Sequence, residues 1–226
     1  MRFLSIGGWC GTTISLRGNK LYSEAFPFDH VRSSFEGIID CIENNFENFF
    51  PKKIEVDIIK NYGYSGRSFR GKYFGFYHHD LKNKVNIDKF KKRFMRFNDF
   101  LKTTDESVIF VRTIVTENYE EETKLYDSFI KAVEKQFPTL KFNLIFCIPG
   151  QKKNKYFKKI DNQTFIFTLN DKVNKNKYLT KQYGEIYSLI TKEDFFKSQP
   201  ENINIDIIPC DKYVNHQGVP FFREDN

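Results

Sequence analysis

Two nearly continuous apolar runs, Val108-Ile109-Phe110-Val111 and Phe142 to Ile148, set the limits on what this chain can fold into. A strand that alternates apolar and polar residues keeps one face in water. One that is apolar throughout is covered on both faces, as in a sheet with helices above and below. Between the two runs, Leu125, Phe129, Ala132, Val133 and Phe137 recur at helical intervals, and Glu120, Glu121 and Glu122 open that segment where acidic groups favour the helix dipole. Strand, helix, strand in that order predicts an α/β fold of three layers: a mostly parallel sheet with helices on both faces. Too few such units exist for a barrel, so the expectation is an open, doubly wound, flavodoxin-like sheet.

The remaining segments fit around that centre. Phe3, Leu4 and Ile6 form a short buried first strand, which Gly7-Gly8 stops. Trp9 and Cys10 follow at its carboxyl end, where ligands sit in open α/β sheets. Residues 13–17 read as a short helix or irregular segment, and 25–30 as a loop or short strand. Ser33 and Glu36 have capping-box spacing and predict a helix that runs to Phe49 and ends at Pro51. Strands are expected at 54–59 and 72–77, with a loop at 61–71 rich in Gly, Ser, Arg and Tyr. Helices are expected at 87–101 and 178–196, a strand at 164–168 and an edge strand at 203–208. The chain reads as one domain, 1–226, whose texture turns lysine-rich from about residue 151.

The formal charge is +7, from 36 Lys and Arg against 29 Asp and Glu. That makes anionic partners plausible, although the abundance of Lys, Asn, Ile, Phe and Tyr is also what an AT-rich genome produces. The 26 phenylalanines are expected to do the packing that Leu and Val do elsewhere. The cysteines, Cys10, Cys41, Cys147 and Cys210, form no CxxC pair, which argues against structural zinc. Their wide spacing and the lack of a leader predict reduced thiols in an intracellular, cytoplasmic protein (the host cytoplasm for a viral source). No apolar run of about 18 residues predicts a membrane span. No cofactor motif and no metal-ligand spacing is present.

The chemistry-bearing constellation is Cys10 with His78 or His79 and with Asp29 or Asp80. A cysteine attacks as thiolate, so a neighbouring imidazole or helix N-terminus is needed to ionise it, and a carboxylate would hold the ring in the useful tautomer. The plain alternatives are a small buried cysteine in a tight turn, surface histidines, and an aspartate that caps a turn. Arg93 and Arg96 lie one helical turn apart, and Arg112 ends the central strand. Together they could clamp a carboxylate or phosphate, or form ordinary ion pairs. The lysine-rich segment 151–181, interleaved with Tyr156, Phe157 and Tyr178, allows a second function: a non-enzymatic module for RNA or another polyanion. A solvated lysine face explains it as well.

Ser5-Ile6-Gly7-x-x-Cys10, Phe26-Pro27-Phe28-Asp29, His79-Asp80, Arg93-x-x-Arg96 and Phe110-Val111-Arg112 occur in an order that resembles a family of uncharacterised domains described as papain-like cysteine peptidases. The resemblance covers roughly residues 1–148. It implies Cys10 and His79 as the catalytic pair and Asp29 as the aspartate of a Pro-Phe-Asp-Trp motif. His30 stands where that family has tryptophan and offers a second imidazole. A true papain fold would place the cysteine on a long helix against an antiparallel sheet. The alternation of elements here favours an SGNH-like placement after a parallel strand instead. The function expected is a cysteine-dependent hydrolase or acyltransferase acting on a small molecule or peptide with an anionic group, contacted by Arg93, Arg96, Arg112, His78, His30 and Trp9.

Overall fold

The structure, a computed structural model, describes residues 1–54, 57–61, 64–114, 119–155, 157–170, 176–192 and 195–196. Its main sheet has five strands in the order β1-β6-β7-β9-β8: β1 (Arg2–Ser5), β6 (Val108–Thr113), β7 (Phe142–Ile148), β9 (Thr164–Thr168) and β8 (Phe157–Lys159). Only β8 runs antiparallel to its neighbour, with Phe157 opposite Phe167. The sheet is mixed but mostly parallel, flanked by helices and not closed. Strand order advances from β1 through β6 and β7 to β9, with β8 at the outer edge. Helices reach both faces because the chain changes sides between β1 and β6, not because the order reverses.

Residue parity shows both faces covered. Leu4, Val108, Phe110, Leu144 and Phe146 point into one apolar cluster with α2 (Phe35–Glu43), α3 (Lys84–Thr103) and α5 (Tyr126–Gln136). Phe3, Ile109, Val111, Ile145 and Cys147 point into a second cluster with α1 (Cys10–Gly18) and α6 (Asn176–Ile190). All six residues of β6 are buried, as its unbroken apolar run requires. Phenylalanine fills the first cluster: Phe49 meets Phe74, Phe76, Phe90 and Phe94 at centroid separations of 4.6–5.4 Å. Each such burial contributes about 1.5–3 kcal/mol.

A second, antiparallel sheet of four strands was not foreseen. Its order is β2-β5-β4-β3, with β2 (Arg32–Ser33), β5 (Phe74–Phe76), β4 (Tyr64–Arg70) and β3 (Asp57–Asn61). The expected loop over 61–71 is largely strand, because pairing of Phe69 with Phe76 and Arg70 with Gly75 overrides a loop-like composition. Short β8 was likewise missed in a polar stretch.

The helix expected from Ser33 starts one residue later. Ser34 is the N-cap, its Oγ accepting from the Gly37 amide at 3.0 Å, and Ser33 belongs to β2. That helix stops at Glu43, and left-handed Asn45 and Phe46 turn the chain so that Phe46 and Phe49 still pack inward. Asn83 caps α3 through the Val85 amide and starts it earlier than the apolar stripe does. The segment after Glu120 divides into α4 (Tyr119–Thr123) and α5. The expected strand at 203–208 lies outside the described residues. Among the described residues, no helix is long and apolar enough to cross a membrane.

Candidate active site

Cys10 is the first residue of α1 and sits at the carboxyl end of β1. The turn between them is tightly built. Gly7 and Gly8 have φ of +76° and +88°, conformations that suit glycine. A side-chain carbon on Gly7 would lie 2.1 Å from Ser33 Oγ, and one on Gly8 would lie 2.0 Å from the Thr113 carbonyl oxygen. The Gly8 amide donates to Ser33 Oγ at 3.0 Å, so it is committed to the protein rather than to an oxyanion. The N-cap position is Trp9, whose side chain makes no capping bond, and its ring covers Gly11.

The Cys10 thiol is half-buried. Burial raises its pKa above the ordinary thiol value, while the Arg32 guanidinium and its own backbone amide pull the other way. Arg32 lies on β2, opposite Gly75 of β5, and stands over the Tyr77 ring at 5.5 Å. The same guanidinium acts on His78. His78 meets the His30 ring edge-on at 6.3 Å, and His79 packs edge-on to Phe90 at 4.9 Å. Burial first, then neighbouring groups whose positive charge would oppose a second one, push His30 and His79 down to about 4: Arg17, His78 and Arg93 around His30; Arg93, His78, His30 and Lys89 around His79. His78 is lowered by burial and Arg32. All three imidazoles are therefore neutral at neutral pH and able to accept a proton. His79 Nε2 is buried without a hydrogen-bond partner, so it makes no bond to the Cys10 sulfur in this state. Such bonds are often long until substrate arrives.

Asp29 joins α1 to the loop that carries His30. It is only 2% exposed. Thr13 Oγ1 donates to its Oδ1 at 2.8 Å, and the Phe26 amide and Tyr22 hydroxyl donate to Oδ2 at 2.9 and 3.1 Å. Burial raises its pKa, against those three bonds and the charge of Arg93. His30, next in the chain, holds φ of +59°. Asp80 instead caps a turn, its Oδ1 accepting from the Lys82 amide at 2.9 Å.

The three arginines picked out as an anion clamp have different surroundings. Arg112 is fully buried. Its Nε donates to Glu122 at 2.5 Å, Nη1 to Ser33 Oγ and the Ile6 carbonyl at 2.8 and 3.2 Å, and Nη2 to the Ser33 carbonyl at 2.7 Å. Arg96 donates to the Ala25 carbonyl at 2.7 Å and pairs with Glu24 at 3.0 Å. Arg93 faces the imidazole group, and its buried Nη1 has no partner. Arg32 was missed because it belongs to no motif. Only the β2–β5 pairing brings it to Tyr77 and His78, so a sequence signal would have required seeing that pairing.

Three imidazoles and a thiol raise the question of a metal. Among the described residues no group of three or more His, Cys, Asp or Glu is arranged to hold one. The arginines around the imidazoles would also repel a cation. What the residues offer is acyl chemistry: a thiol at a helix N-terminus, with the Arg32 guanidinium acting on both that thiol and the His78 ring.

No curated protein and no solved structure matches the chain. Over residues 1–152 it matches the family described as "Putative papain-like cysteine peptidase (DUF1796)", and the chain belongs to that family.

Proposed function

We propose that this protein is a cysteine-dependent hydrolase or acyltransferase whose substrate carries an anionic group. The observation that supports this most is the half-buried Cys10 thiol at the first residue of α1, with Arg32 beside it. The family membership gives the same reaction class.

Burial raises the thiol and lowers the imidazoles, so the resting pair is neutral thiol and neutral imidazole. The proton therefore moves during attack rather than before it. Sulfur bonds to the acyl carbon while an imidazole, assigned to His79, takes the thiol proton. The tetrahedral oxyanion collapses, the leaving group departs with that proton, and a thioester remains on Cys10. Water or another acceptor then attacks the thioester, its proton passing through the imidazole to the sulfur. Positioned proton transfer contributes on the order of 10²–10⁴ in rate. Asp29 holds the helix and the His30 loop in register. Arg32 and Arg93 supply positive charge to an anionic substrate. Trp9, His30 and His78 border the same site.

The test is acylation by p-nitrophenyl acetate and by p-nitrophenyl succinate, followed by intact mass. The expected result is a single acyl group on Cys10, faster for the succinyl ester, lost in Cys10→Ser and slowed at least 10²-fold in His79→Ala. Acylation no faster than that of free cysteine would overturn the reading. The alternative, a polyanion-binding module, has less behind it. Phe157 turns inward against Phe167 and Phe195 at 5.6 and 5.7 Å, which removes it as a stacking platform for bases.

A further inference from the structure

The helix that begins with Cys10 is packed against a helix from beyond the family match, which covers residues 1–152, whereas α6 spans Asn176–Ile190. The two helices approach closely through reciprocal glycines. A side-chain carbon on Gly18 of α1 would lie 2.4 Å from Thr180 Cγ2, and one on Gly184 of α6 would lie 2.2 Å from Asn19 Oδ1. Asn19 bridges them, its Nδ2 donating to the Ser15 and Thr180 carbonyls at 2.8 and 2.9 Å. The Tyr187 hydroxyl meets Ser15 Oγ at 2.8 Å, and Ser15 Oγ donates to the Thr12 carbonyl at 2.7 Å.

A second line of hydroxyls leads to the turn before Cys10. Thr12 Oγ1 donates to the Gly7 carbonyl at 3.3 Å. It also meets Thr113 Oγ1 at 2.8 Å, and Thr113 Oγ1 meets the Tyr183 hydroxyl. Each hydroxyl has one proton. The Gly7 carbonyl can only accept, so Thr12 spends its proton there. Thr113 must then donate to Thr12, and Tyr183 to Thr113. The chain therefore has one direction, from α6 through β6 to the Gly7-Gly8 turn, and all of these hydroxyl-bearing residues are buried.

We propose that α6 is part of the frame of the reacting centre, with Tyr183 and Tyr187 as positioning residues for the Cys10 helix and its turn. This rests on Cys10 being the nucleophile. It assigns a positioning role to a helix that lies beyond the matched region.

The experiment uses the full chain with Tyr183→Phe, Tyr187→Phe, the double variant, and Ile190→Val as a control that loosens α6 without touching a hydroxyl. Two quantities are read: the rate of Cys10 acylation by p-nitrophenyl acetate against pH, and hydrogen exchange of the amides of residues 10–18. The double variant is expected to acylate about tenfold more slowly, because even a small misplacement of a reacting group is costly in rate. Its pH profile should shift, and its α1 amides should exchange faster. The control should change both readouts much less than the tyrosine variants do. An unchanged profile and unchanged exchange in the tyrosine variants overturn the proposal, as does an equal loss in the control. Should the wild-type thiol prove unreactive, the nucleophile reading fails, and exchange at α1 still judges the positioning role. Should the double variant not fold, the single variants decide the matter.

Discussion

A carboxylate as buried as Asp29 survives only because its oxygens are occupied: Thr13 on one side, Tyr22 and the Phe26 amide on the other. Asp29→Asn turns an amide N–H₂ toward one set of donors. The expected cost is about 1–3 kcal/mol of stability, read as a fall in urea midpoint with unchanged slope. Tyr22→Phe removes only one donor and should cost less. Arg112 is the other decisive residue. Its partners are the Ile6 carbonyl just past β1, Ser33 of β2 and Glu122 of α4, and Glu122 is the carboxylate that balances its charge. Glu122→Ala leaves a buried guanidinium uncompensated, and a loss of about 3–5 kcal/mol is expected in thermal or urea unfolding. Gly8→Ala meets the Thr113 carbonyl and a strained φ together, and should lower stability and displace Cys10 at once.

At the scale of elements, the strands and helices that could be read from the sequence are those whose signal is local. Val108–Val111 needs no partner to declare itself a buried strand, and the stripe of Phe90, Phe97 and Leu101 declares α3. The second sheet was hidden because its strands are defined by each other. Gly66 and Arg67 read as loop until β3 pairs with them, as Phe69 and Arg70 do until β5 does. The same holds at the site. Cys10, Asp29 and the histidines can be singled out by residue type, since few side chains carry such chemistry. Arg32 and Ser33 cannot, because a two-residue strand has no pattern, and only pairing with β5 gives them a position. The fate of Arg112 depends on Ser33 and Glu122, 79 and 10 positions away. One local device does carry a number: Ser34→Ala removes the cap of α2 and should cost about 1 kcal/mol, seen as a lower thermal midpoint.

For the whole molecule, the histidine cluster sets the response to acid. His30 and His79 have folded pKa values near 4 against 6.5 unfolded, and His78 is shifted the same way. Between those values the unfolded chain binds more protons, so stability must fall as pH drops below 6.5 and level off near 4. Asp29, raised by burial, works in the opposite sense but is one group against three. Unfolding midpoints in urea from pH 7.5 to 4 should show the decline, and replacing His79 with Phe should shrink it. A flat profile would contradict imidazoles that the fold holds neutral.

The first strand has one neighbour in the main sheet, and the contact that locks its end, Arg112 to Ile6, spans 106 positions of chain. A ribosome making this protein must therefore release all four small-sheet strands and the long basic helix before β1 can find its place. Until then the thiol is an ordinary cysteine on an unpaired segment. The fold thus carries its own delay: the surroundings of the Cys10 thiol are complete only once the centre of the chain has been synthesised.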